Sequence, residues 1–378
     1  MQFRDLKKQY EVLKEDIDRE IVEVIESSRF IGGPKVSELE KRLAEYVGVK
    51  HCITCGNGTD ALLLALMAWG IGPGDAVFVP DFTFFSSGEV ASTLGATPVF
   101  VDVIPETFNM DSDSLEKVVK KTLEDGKLTP KAVVAVDLFG LPADFPAIRA
   151  VADRYGLKVL EDGAQGFGGQ IGDGRACSFG DIGTTSFFPA KPLGCYGDGG
   201  AVFTDDDDSA ALIRSFCVHG KGEMKYDNVR IGMNSRLDSI QAGILIPKFE
   251  AFRKHEAADV NKAASQYTEL LKDIVETPVV PDGFVSSWAQ YTIRLNSEEE
   301  RDALKIALQS REIPSMVYYP KAMHCQEAFD KESLGDGEFP VTDKLCKTVL
   351  SLPMHPYLTR DDVERVASAV REELSKLR

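Results

Sequence analysis

Two kinds of hydrophobic periodicity divide the chain. Near the N-terminus, apolar residues recur at spacings of three and four, which predicts an amphipathic helix that ends before the glycines and proline at 32–34. Ser37 and Glu40 then stand three residues apart ahead of a second apolar stripe, which predicts a capping box at the start of another helix. From residue 50 onward the pattern changes to short apolar runs bounded by glycine, proline or aspartate.

These short runs predict the strands of one sheet. Most are continuous rather than alternating, as expected for strands that are buried on both faces. Helical segments separate many of them, and this alternation is typical of an α/β fold with a mostly parallel sheet. The seven candidate strands are CITCGN, AVFVPDFT, TPVFVDV, KAVVAVDLFG, KVLEDGA, GTTSFFP and GGAVFT.

After residue 235 the pattern becomes mostly helical, in a stretch that only Pro247 is predicted to break. Two strand-like pieces, YTIRL and SMVYYP, follow, and then an amphipathic helix capped by Thr359. This order favours a smaller α+β domain. We therefore predict a large domain over residues 1–247 and a small C-terminal domain over residues 248–378.

Composition and charge narrow the possible functions. The 378 residues carry a net charge of −17, so nucleic acid is not an expected partner. No apolar run reaches the roughly 18 residues of a membrane helix, and the charged start of the chain argues against a signal peptide. Seven scattered cysteines favour a reducing, cytoplasmic location. Cys52 and Cys55 form the one C-x-x-C, which lacks the further ligands of a zinc site, so no metal is expected.

Four polar segments follow predicted strands, where ligands bind in open parallel sheets. The glycine-rich segment 56–60 suits a phosphate at a helix start, or is a tight turn capped by Thr59 or Asp60. The acids at 161–162 suit a cationic ligand group, or are a cap or surface acids. The aromatic residues of segment 80–85 stack on a flat ring, or belong to the core.

The fourth segment, 186–194, contains one lysine, Lys191, between an apolar strand and a glycine-rich turn. A lysine shielded from water becomes a nucleophile, whereas a lysine in a surface turn does not. Together the four segments describe a flat, phosphorylated aromatic ligand with a cationic atom that reacts with an amine. Pyridoxal 5′-phosphate (PLP) has these properties. The absence of G-x-G-x-x-G argues against a nicotinamide oxidoreductase.

The motifs in these segments resemble those of the DegT/DnrJ/EryC1/StrS family of sugar aminotransferases, and they occur in the family's order over roughly residues 1–330. The resemblance implies the type I PLP-dependent aminotransferase fold, a homodimer with shared active sites, and amino transfer from L-glutamate to a nucleotide-linked keto-sugar. The motifs are N-G-T-D at 57–60, P-D-F-T-F at 80–84, E-D-G-A-Q at 161–165, S-F-F-P-A-K-P-L-G at 186–194, G-D-G-G-A at 197–201 and G-M-N-S-R-L-D-S-I-Q-A at 232–242.

The resemblance also implies residue roles. Lys191 is the Schiff-base lysine and proton shuttle, and Asp162 is the partner of the pyridine nitrogen. The other implied cofactor contacts are Gln165 on the side of the ring hydroxyl, Phe84 on the ring face, Gly58, Thr59 and Ser186 at the phosphate, and Asn234, which reaches the phosphate from the neighbouring subunit.

The residues around Lys191 resemble members that aminate C3 more than members that aminate C4. The implied substrate is UDP-2-acetamido-2-deoxy-3-oxo-D-glucuronate, in surface-polysaccharide biosynthesis; another UDP- or dTDP-linked 3-keto or 4-keto sugar is the alternative. Arg236 either binds the uronate carboxylate or forms a dimer-interface salt bridge. Tyr318 and His324 are candidates for the sugar site, and His324 is alternatively a surface histidine. The loop at Phe30 closes over the nucleotide or merely joins two helices.

Two other functions remain open at this point. Some members of the family use PLP for sugar dehydration, but they lack the lysine that is present here as Lys191. A PLP-binding regulator without turnover would be expected to carry a DNA-binding segment, and the sequence shows none.

Overall fold

The computed structural model describes residues 1–224, 226–329 and 338–378. A seven-stranded sheet forms its centre, and two small sheets lie outside it. The strands are β1 (His51–Cys55), β2 (Asp75–Pro80), β3 (Thr97–Val101), β4 (Thr129–Val136), β5 (Lys158–Asp162), β6 (Gln170–Ile171), β7 (Gly174–Arg175), β8 (Ile182–Ser186), β9 (Gly200–Thr204), β10 (Phe284–Val285), β11 (Tyr291–Arg294) and β12 (Val349–Leu352).

Helices cover the central sheet and form most of the C-terminal region. They are α1 (Leu6–Ser27), α2 (Pro34–Val47), α3 (Gly58–Ala68), α4 (Ser86–Thr93), α5 (Ser112–Asp125), α6 (Phe145–Tyr155), α7 (Asp207–Phe216), α8 (Ser239–Ala251), α9 (Ala257–Leu271), α10 (Glu298–Ser310), α11 (Pro340–Thr348) and α12 (Arg360–Leu377). Within the described residues, no helix is both long enough and apolar enough to cross a bilayer.

The central sheet has the strand order β1-β9-β8-β5-β4-β2-β3. β9 runs antiparallel to both of its neighbours, and the pairs from β8 to β3 are parallel. All seven strands predicted from apolar runs lie in this sheet, and the predicted α/β class with a mostly parallel sheet is confirmed. The sheet is buried on both faces, which explains why its strands lack alternation.

The periodicity of the N-terminal segment also agrees with the structure. α1 packs on α8 and buries Ile17 and Val24 from its apolar stripe. Complete burial of one such side chain contributes about 1.5–3 kcal/mol to folding. The predicted cap at Thr359 is confirmed, because its side chain and that of Asp362 form a reciprocal capping box at the start of α12.

Two helix predictions are wrong. α2 begins at Pro34 with Gly33 as its N-cap, and no capping box forms at Ser37 because the Glu40 carboxylate instead accepts from the N–H of Thr54 in β1 (2.8 Å). Pro247 lies inside α8 rather than ending it. The irregularity comes later, as one π-helical turn at Phe252–Glu256 between α8 and α9.

The C-terminal region has its own apolar cluster, built from residues between 260 and 374. β11 and β12 pair antiparallel inside it. The strand predicted at SMVYYP is wrong: of that piece, Met316 makes a single bridge to Ser351, and the partner of β11 is the sequence VLSL of β12. The domain division at 247/248 stays a prediction.

Candidate active site

The site residues predicted from the sequence lie mainly at one edge of the central sheet. β5 ends at Asp162 and β8 ends at Ser186, while β1 and β2 end just before residues 56–60 and 81–85. β9, which runs the other way, begins at this same edge. The edge is therefore formed by the carboxyl ends of parallel strands, which is where open α/β sheets bind ligands.

Lys191 lies in the turn between β8 and β9. Its N–H donates to the carbonyl of Phe188 (2.9 Å), and its own carbonyl accepts from the guanidinium of Arg4 (2.8 Å). Burial lowers the pKa of the Lys191 amine, the Asp162 carboxylate opposes this effect, and the positive charge of Arg4 adds to it. A lysine held this way has a larger neutral fraction, which is the form that attacks a carbonyl carbon.

Asp162 is 5% exposed and accepts two hydrogen bonds, from the Ser87 hydroxyl (2.8 Å) and the N–H of Ala164 (3.2 Å). Burial raises the pKa of its carboxyl, whereas Ser87, Ala164 and the nearby charge of Lys191 lower it. The Thr83 hydroxyl lies 3.1 Å from that of Ser87 and completes a short polar chain. The donors stabilise the carboxylate, which can then accept a hydrogen bond from a cationic heterocycle.

Gln165 is buried and fixed at both ends of its amide. Its oxygen accepts from the N–H of Phe139 (2.8 Å), and its nitrogen donates to the hydroxyl of Tyr319 (3.0 Å). Phe84 is different, because its ring is 53% exposed and lies 6.3 Å from the ring of Tyr319, centroid to centroid. An exposed ring next to a buried polar network is available to cover a flat ligand.

The segment 56–60 and the end of β8 approach each other closely. A Cβ on Gly58 would lie only 2.7 Å from the Cβ of Ser186, so a larger residue would force the two segments apart. The Thr59 hydroxyl contacts the Ser86 hydroxyl (2.8 Å), and the Ser186 hydroxyl accepts from the N–H of Phe188 (3.2 Å). Hydroxyls around the N-terminus of α3 make a donor set that suits a phosphate.

Asn234 and Arg236 lie on the loop before α8, on either side of the buried Ser235. The Ser235 hydroxyl accepts from the N–H of Gly56 (2.9 Å) and donates to Asp60 (2.6 Å), which fixes this loop to the start of α3. Asn234 and Arg236 point outward, are exposed, and hydrogen-bond to each other. The structure therefore places the backbone of this motif beside the phosphate segment and its flanking side chains on the surface.

The loop at Phe30 lies against the same segment. The carbonyl of Phe30 accepts from the N–H of Ser239 (2.8 Å), and Ile31 bridges to Asp238. The ring of Phe30 is exposed. The loop thus joins α1 to α2 and also adds an exposed aromatic ring beside the start of α8.

Tyr318 and His324 lie on the segment between α10 and α11. The ring of Tyr318 is 6.2 Å from that of Phe3. Both the backbone N–H of His324 (2.8 Å) and its Nδ1 (2.7 Å) hydrogen-bond to the buried carboxylate of Asp81. His324 is therefore anchored to the buried Asp81, and its place in the sugar site stays a prediction.

Sequence reasoning missed four residues that shape the site: Arg4, Asp81, Ser87 and Tyr319. Asp81 lay in the strand-end motif P-D-F-T-F, and Ser87 stands four residues after Thr83, a spacing that one helical turn brings together. Arg4 and Tyr319 contact partners that are 187 and 154 residues away, which no local pattern reveals.

Known proteins are similar to this chain in sequence and in fold. The model described as the DegT/DnrJ/EryC1/StrS aminotransferase family matches residues 11–371. The chain belongs to this family. A crystal structure of a member from Brucella abortus superimposes with a TM-score of 0.95 at 48% identity, covering 98% of this chain and 99% of the other.

Two full-length relatives in the family carry named activities. The UDP-2-acetamido-2-deoxy-3-oxo-D-glucuronate aminotransferase of Pseudomonas aeruginosa is 43% identical over 98% of this chain and 99% of its own length. The UDP-N-acetyl-3-dehydro-alpha-D-glucosamine 3-aminotransferase of Acidithiobacillus ferrooxidans is 40% identical over 98% of this chain and 97% of its own length. The predictions of the family, the PLP-dependent aminotransferase activity and the cofactor are confirmed.

The residues of this chain fit PLP. Lys191 offers an amine of lowered pKa, Asp162 offers a buried carboxylate, and these two groups are close enough to affect each other's pKa. The close approach at Gly58 leaves backbone N–H groups and the hydroxyls of Thr59 and Ser186 for the phosphate. The roles of the individual residues stay predictions.

Proposed function

We propose that the protein transfers an amino group from L-glutamate to C3 of UDP-2-acetamido-2-deoxy-3-oxo-D-glucuronate. The observation that carries the amino-transfer chemistry is the placement of Lys191 and the buried Asp162 at the carboxyl edge of the sheet, where the charge of each acts on the other. The choice of sugar is supported by the activity named for the relative from Pseudomonas aeruginosa. When bound, PLP supplies a ring that accepts the electron pair released at the substrate carbon.

Lys191 acts as the base and then the acid in this proposal. Its lowered pKa lets the free amine take a proton from the substrate carbon and return it to a neighbouring carbon. Arg4, through the Lys191 carbonyl, fixes the turn from which the side chain extends. The amine therefore works from a defined position, which is what makes intramolecular proton transfer efficient.

Asp162 holds a proton at the pyridine nitrogen. Its carboxylate is stabilised by Ser87 and Ala164, so it remains an acceptor although it is buried. Phe84 would cover the ring face, and Gln165, whose amide is already oriented by Phe139, would approach the ring hydroxyl. These contacts orient the flat ligand and exclude water from one side.

The second subunit is part of the proposal. The loop that precedes Asn234 exposes Met224, Tyr226 and Ile231, the last with 89% of its surface accessible. Large apolar side chains clustered on a surface loop favour a protein interface. We expect a homodimer in which Asn234 reaches the phosphate site of the neighbouring subunit.

Location and pathway follow from the proposed substrate. A nucleotide-linked sugar and buried thiols favour a cytoplasmic enzyme that supplies an amino sugar for a surface polysaccharide or lipopolysaccharide. Neither relative's name mentions dehydration, and the presence of Lys191 favours transamination.

The amino-transfer chemistry is tested by trapping the cofactor covalently on its lysine. Borohydride reduction of the purified holoenzyme, followed by peptide mass spectrometry, is expected to find the cofactor's mass on Lys191. Lys191→Ala should abolish both the adduct and glutamate turnover, whereas Lys50→Ala, an exposed control, should change neither. A Lys191→Ala enzyme that retains the covalent adduct or full turnover would exclude the assigned role.

The sugar is tested with matched substrates. The uronate substrate is expected to have a higher kcat/KM than the neutral UDP-N-acetyl-3-keto sugar that the Acidithiobacillus relative's name implies. Arg236→Ala should raise KM for the uronate about tenfold through loss of a charged hydrogen bond, and leave the neutral sugar unaffected. Arg19→Ala, another exposed arginine, serves as the control. Equal losses on both sugars would assign Arg236 to an interface instead.

The shared site is tested by mixing two inactive variants. Lys191→Ala and Asn234→Ala subunits are each expected to be impaired alone. After unfolding and co-refolding, mixed dimers should regain activity, because one of their two sites then has both wild-type residues. No regain in dimers shown to be mixed would mean that Asn234 acts within its own subunit.

A further inference from the structure

A second group of reactive side chains lies between the end of β2 and the segment before α11. Asp81 follows β2 and is fully buried, and its carboxylate accepts from both the backbone N–H and the Nδ1 of His324. On the other side of the imidazole ring, Nε2 is 3.1 Å from the Sγ of Cys325. The carboxylate of Asp81, the imidazole of His324 and the thiol of Cys325 therefore form a continuous hydrogen-bonded chain.

The carboxylate determines which imidazole nitrogen carries the proton. Asp81 can only accept hydrogen bonds when ionised, so Nδ1 of His324 must be the donor at 2.7 Å. Nε2 then presents its lone pair toward the S–H of Cys325. This is the arrangement in which an acid orients a base and the base activates a nucleophile.

The acid is held firmly. The N–H of Asp81 donates to the carbonyl of Val101 (2.8 Å), and its carbonyl accepts from the N–H of Met323 (3.0 Å). Phe339 stacks on the imidazole with a centroid separation of 4.7 Å. Both the acid and the ring are therefore fixed before any reagent arrives.

Among the residues that the structure describes, the other charges near the imidazole are mainly negative. Asp343 on α11 lies 3.7 Å from Nε2. Burial raises the pKa of Asp81 to about 6, and the charge of Asp102 after β3 adds to this effect. On the same segment as Cys325, Lys321 pairs with Glu327 at 3.9 Å. The carboxylates of Asp81 and Asp343 thus face the imidazole ring from two different elements.

The other cysteines provide a contrast. All six are buried, whereas Cys325 is exposed. Burial raises the pKa of the Cys346 and Cys217 thiols to about 12, and it also raises the pKa values of Cys52, Cys55 and Cys177. A reagent that requires an accessible thiolate should therefore distinguish Cys325 from the rest.

We propose that Cys325 is a covalent modification site, activated by His324 and Asp81, for low-molecular-weight disulfides. The S–H proton passes to Nε2 of His324, and the thiolate attacks one sulfur of the reagent. The reagent's S–S bond breaks as the new one forms, and the leaving thiolate takes up the proton. One disulfide is consumed and one is formed, so no further oxidant is needed.

The test is thiol–disulfide exchange on the holoenzyme with 5,5′-dithiobis(2-nitrobenzoate), followed by absorbance and intact mass. One thiol per chain should react in a fast phase that Cys325→Ser removes and that Cys346→Ser, the buried control, retains. At pH 6.5, where a simple thiol is only about 1% ionised, the fast phase should exceed the rate of a model thiol about tenfold.

The contributions of His324 and Asp81 are tested separately from that of the Cys325 thiol. His324→Gln and Asp81→Asn should each slow the fast phase at pH 6.5 about tenfold while leaving one reactive thiol. Asp343→Asn should slow the fast phase less. Because Asp343 is exposed, this variant tests the surrounding charge without the risk of misfolding that a change at the buried Asp81 carries. A fast phase that persists in Cys325→Ser would overturn the site, and unchanged rates in both His324→Gln and Asp81→Asn would overturn the activation.

Discussion

Asp162 shows how the charge of one residue is set by opposing contributions. Its burial alone would favour the neutral acid, which could not hold a proton on a heterocycle. The hydroxyl of Ser87 and the N–H of Ala164 oppose that effect because they bond to the charged form. The function assigned to Asp162 therefore depends on the hydroxyl of Ser87.

Ser87→Ala should weaken this balance. Loss of the hydroxyl raises the pKa of Asp162, so the acid limb of the kcat/KM profile should move to higher pH, and cofactor affinity should fall about tenfold. Ser92→Ala, at an exposed position on the same helix, is the control. Steady-state rates across pH and cofactor titration by absorbance give the readouts. An acid limb that does not move would show that Ser87 leaves the charge of Asp162 unaffected.

For single residues, the sequence predicts the site residues at or just after strand ends better than the residues that hydrogen-bond to site residues from distant parts of the chain. Lys191, Asp162 and Ser186 could be found because strand ends in a parallel sheet share an edge. Asp81 could not be recognised as the partner of His324, because 243 residues separate them and neither lies in a pattern that refers to the other.

The segment before α1 is an element whose role is visible only in the folded chain. Arg4 donates to the Lys191 carbonyl at 2.8 Å and reaches that of Pro192 at 3.5 Å. Burial lowers the pKa of Arg4 to about 10, which still leaves it charged at neutral pH. The N-terminal segment thus fixes the turn that carries Lys191.

Arg4→Gln is expected to loosen that turn. A charged hydrogen bond to a backbone carbonyl contributes about 1.5–3 kcal/mol, so kcat for the glutamate half-reaction should fall about tenfold or more. The absorbance of the bound cofactor should titrate at a different pH, since the positive charge of Arg4 acts on Lys191. Lys7→Gln, on the exposed face of α1, is the control. An unchanged titration would contradict a positioning role.

Helices and strands could be predicted from the sequence where burial determines which residue types occur. The prediction failed where tertiary contacts determine where an element begins, ends or becomes irregular. The seven apolar strands were predictable because both faces of the sheet are covered. The position of the irregular turn was not, since Pro247 is accommodated inside α8 and the π-helical turn follows five residues later. Likewise β12 directly follows α11, with no turn residue to mark its start.

For the molecule as a whole, buried titratable groups link stability to pH. His355 is buried, and burial lowers its pKa from 6.5 to about 4. The unfolded chain therefore binds a proton at this residue between those two values while the folded chain does not. By linkage, His355 reduces stability as the pH falls through this window, by about 3 kcal/mol when both limits are passed.

His355→Gln should flatten this dependence. The free energy of unfolding, measured by urea denaturation at pH 7 and again near pH 4.5, should fall less in the variant than in the wild type. His255→Gln replaces a more exposed histidine and should keep the wild-type difference. A variant with the wild-type slope would assign the acid sensitivity to other groups.

The antiparallel strand β9 has a consequence for biosynthesis. It is the last strand of the central sheet to be made, yet it lies between β1 and β8, so the earliest strand has no sheet neighbour until residue 204 has been translated. Arg4 likewise waits for a carbonyl 187 residues downstream. A ribosome-bound chain that lacks β9 cannot complete the cofactor site. The cofactor is therefore expected to bind after the last strand of the central sheet has been translated, and not to guide folding of the earlier strands.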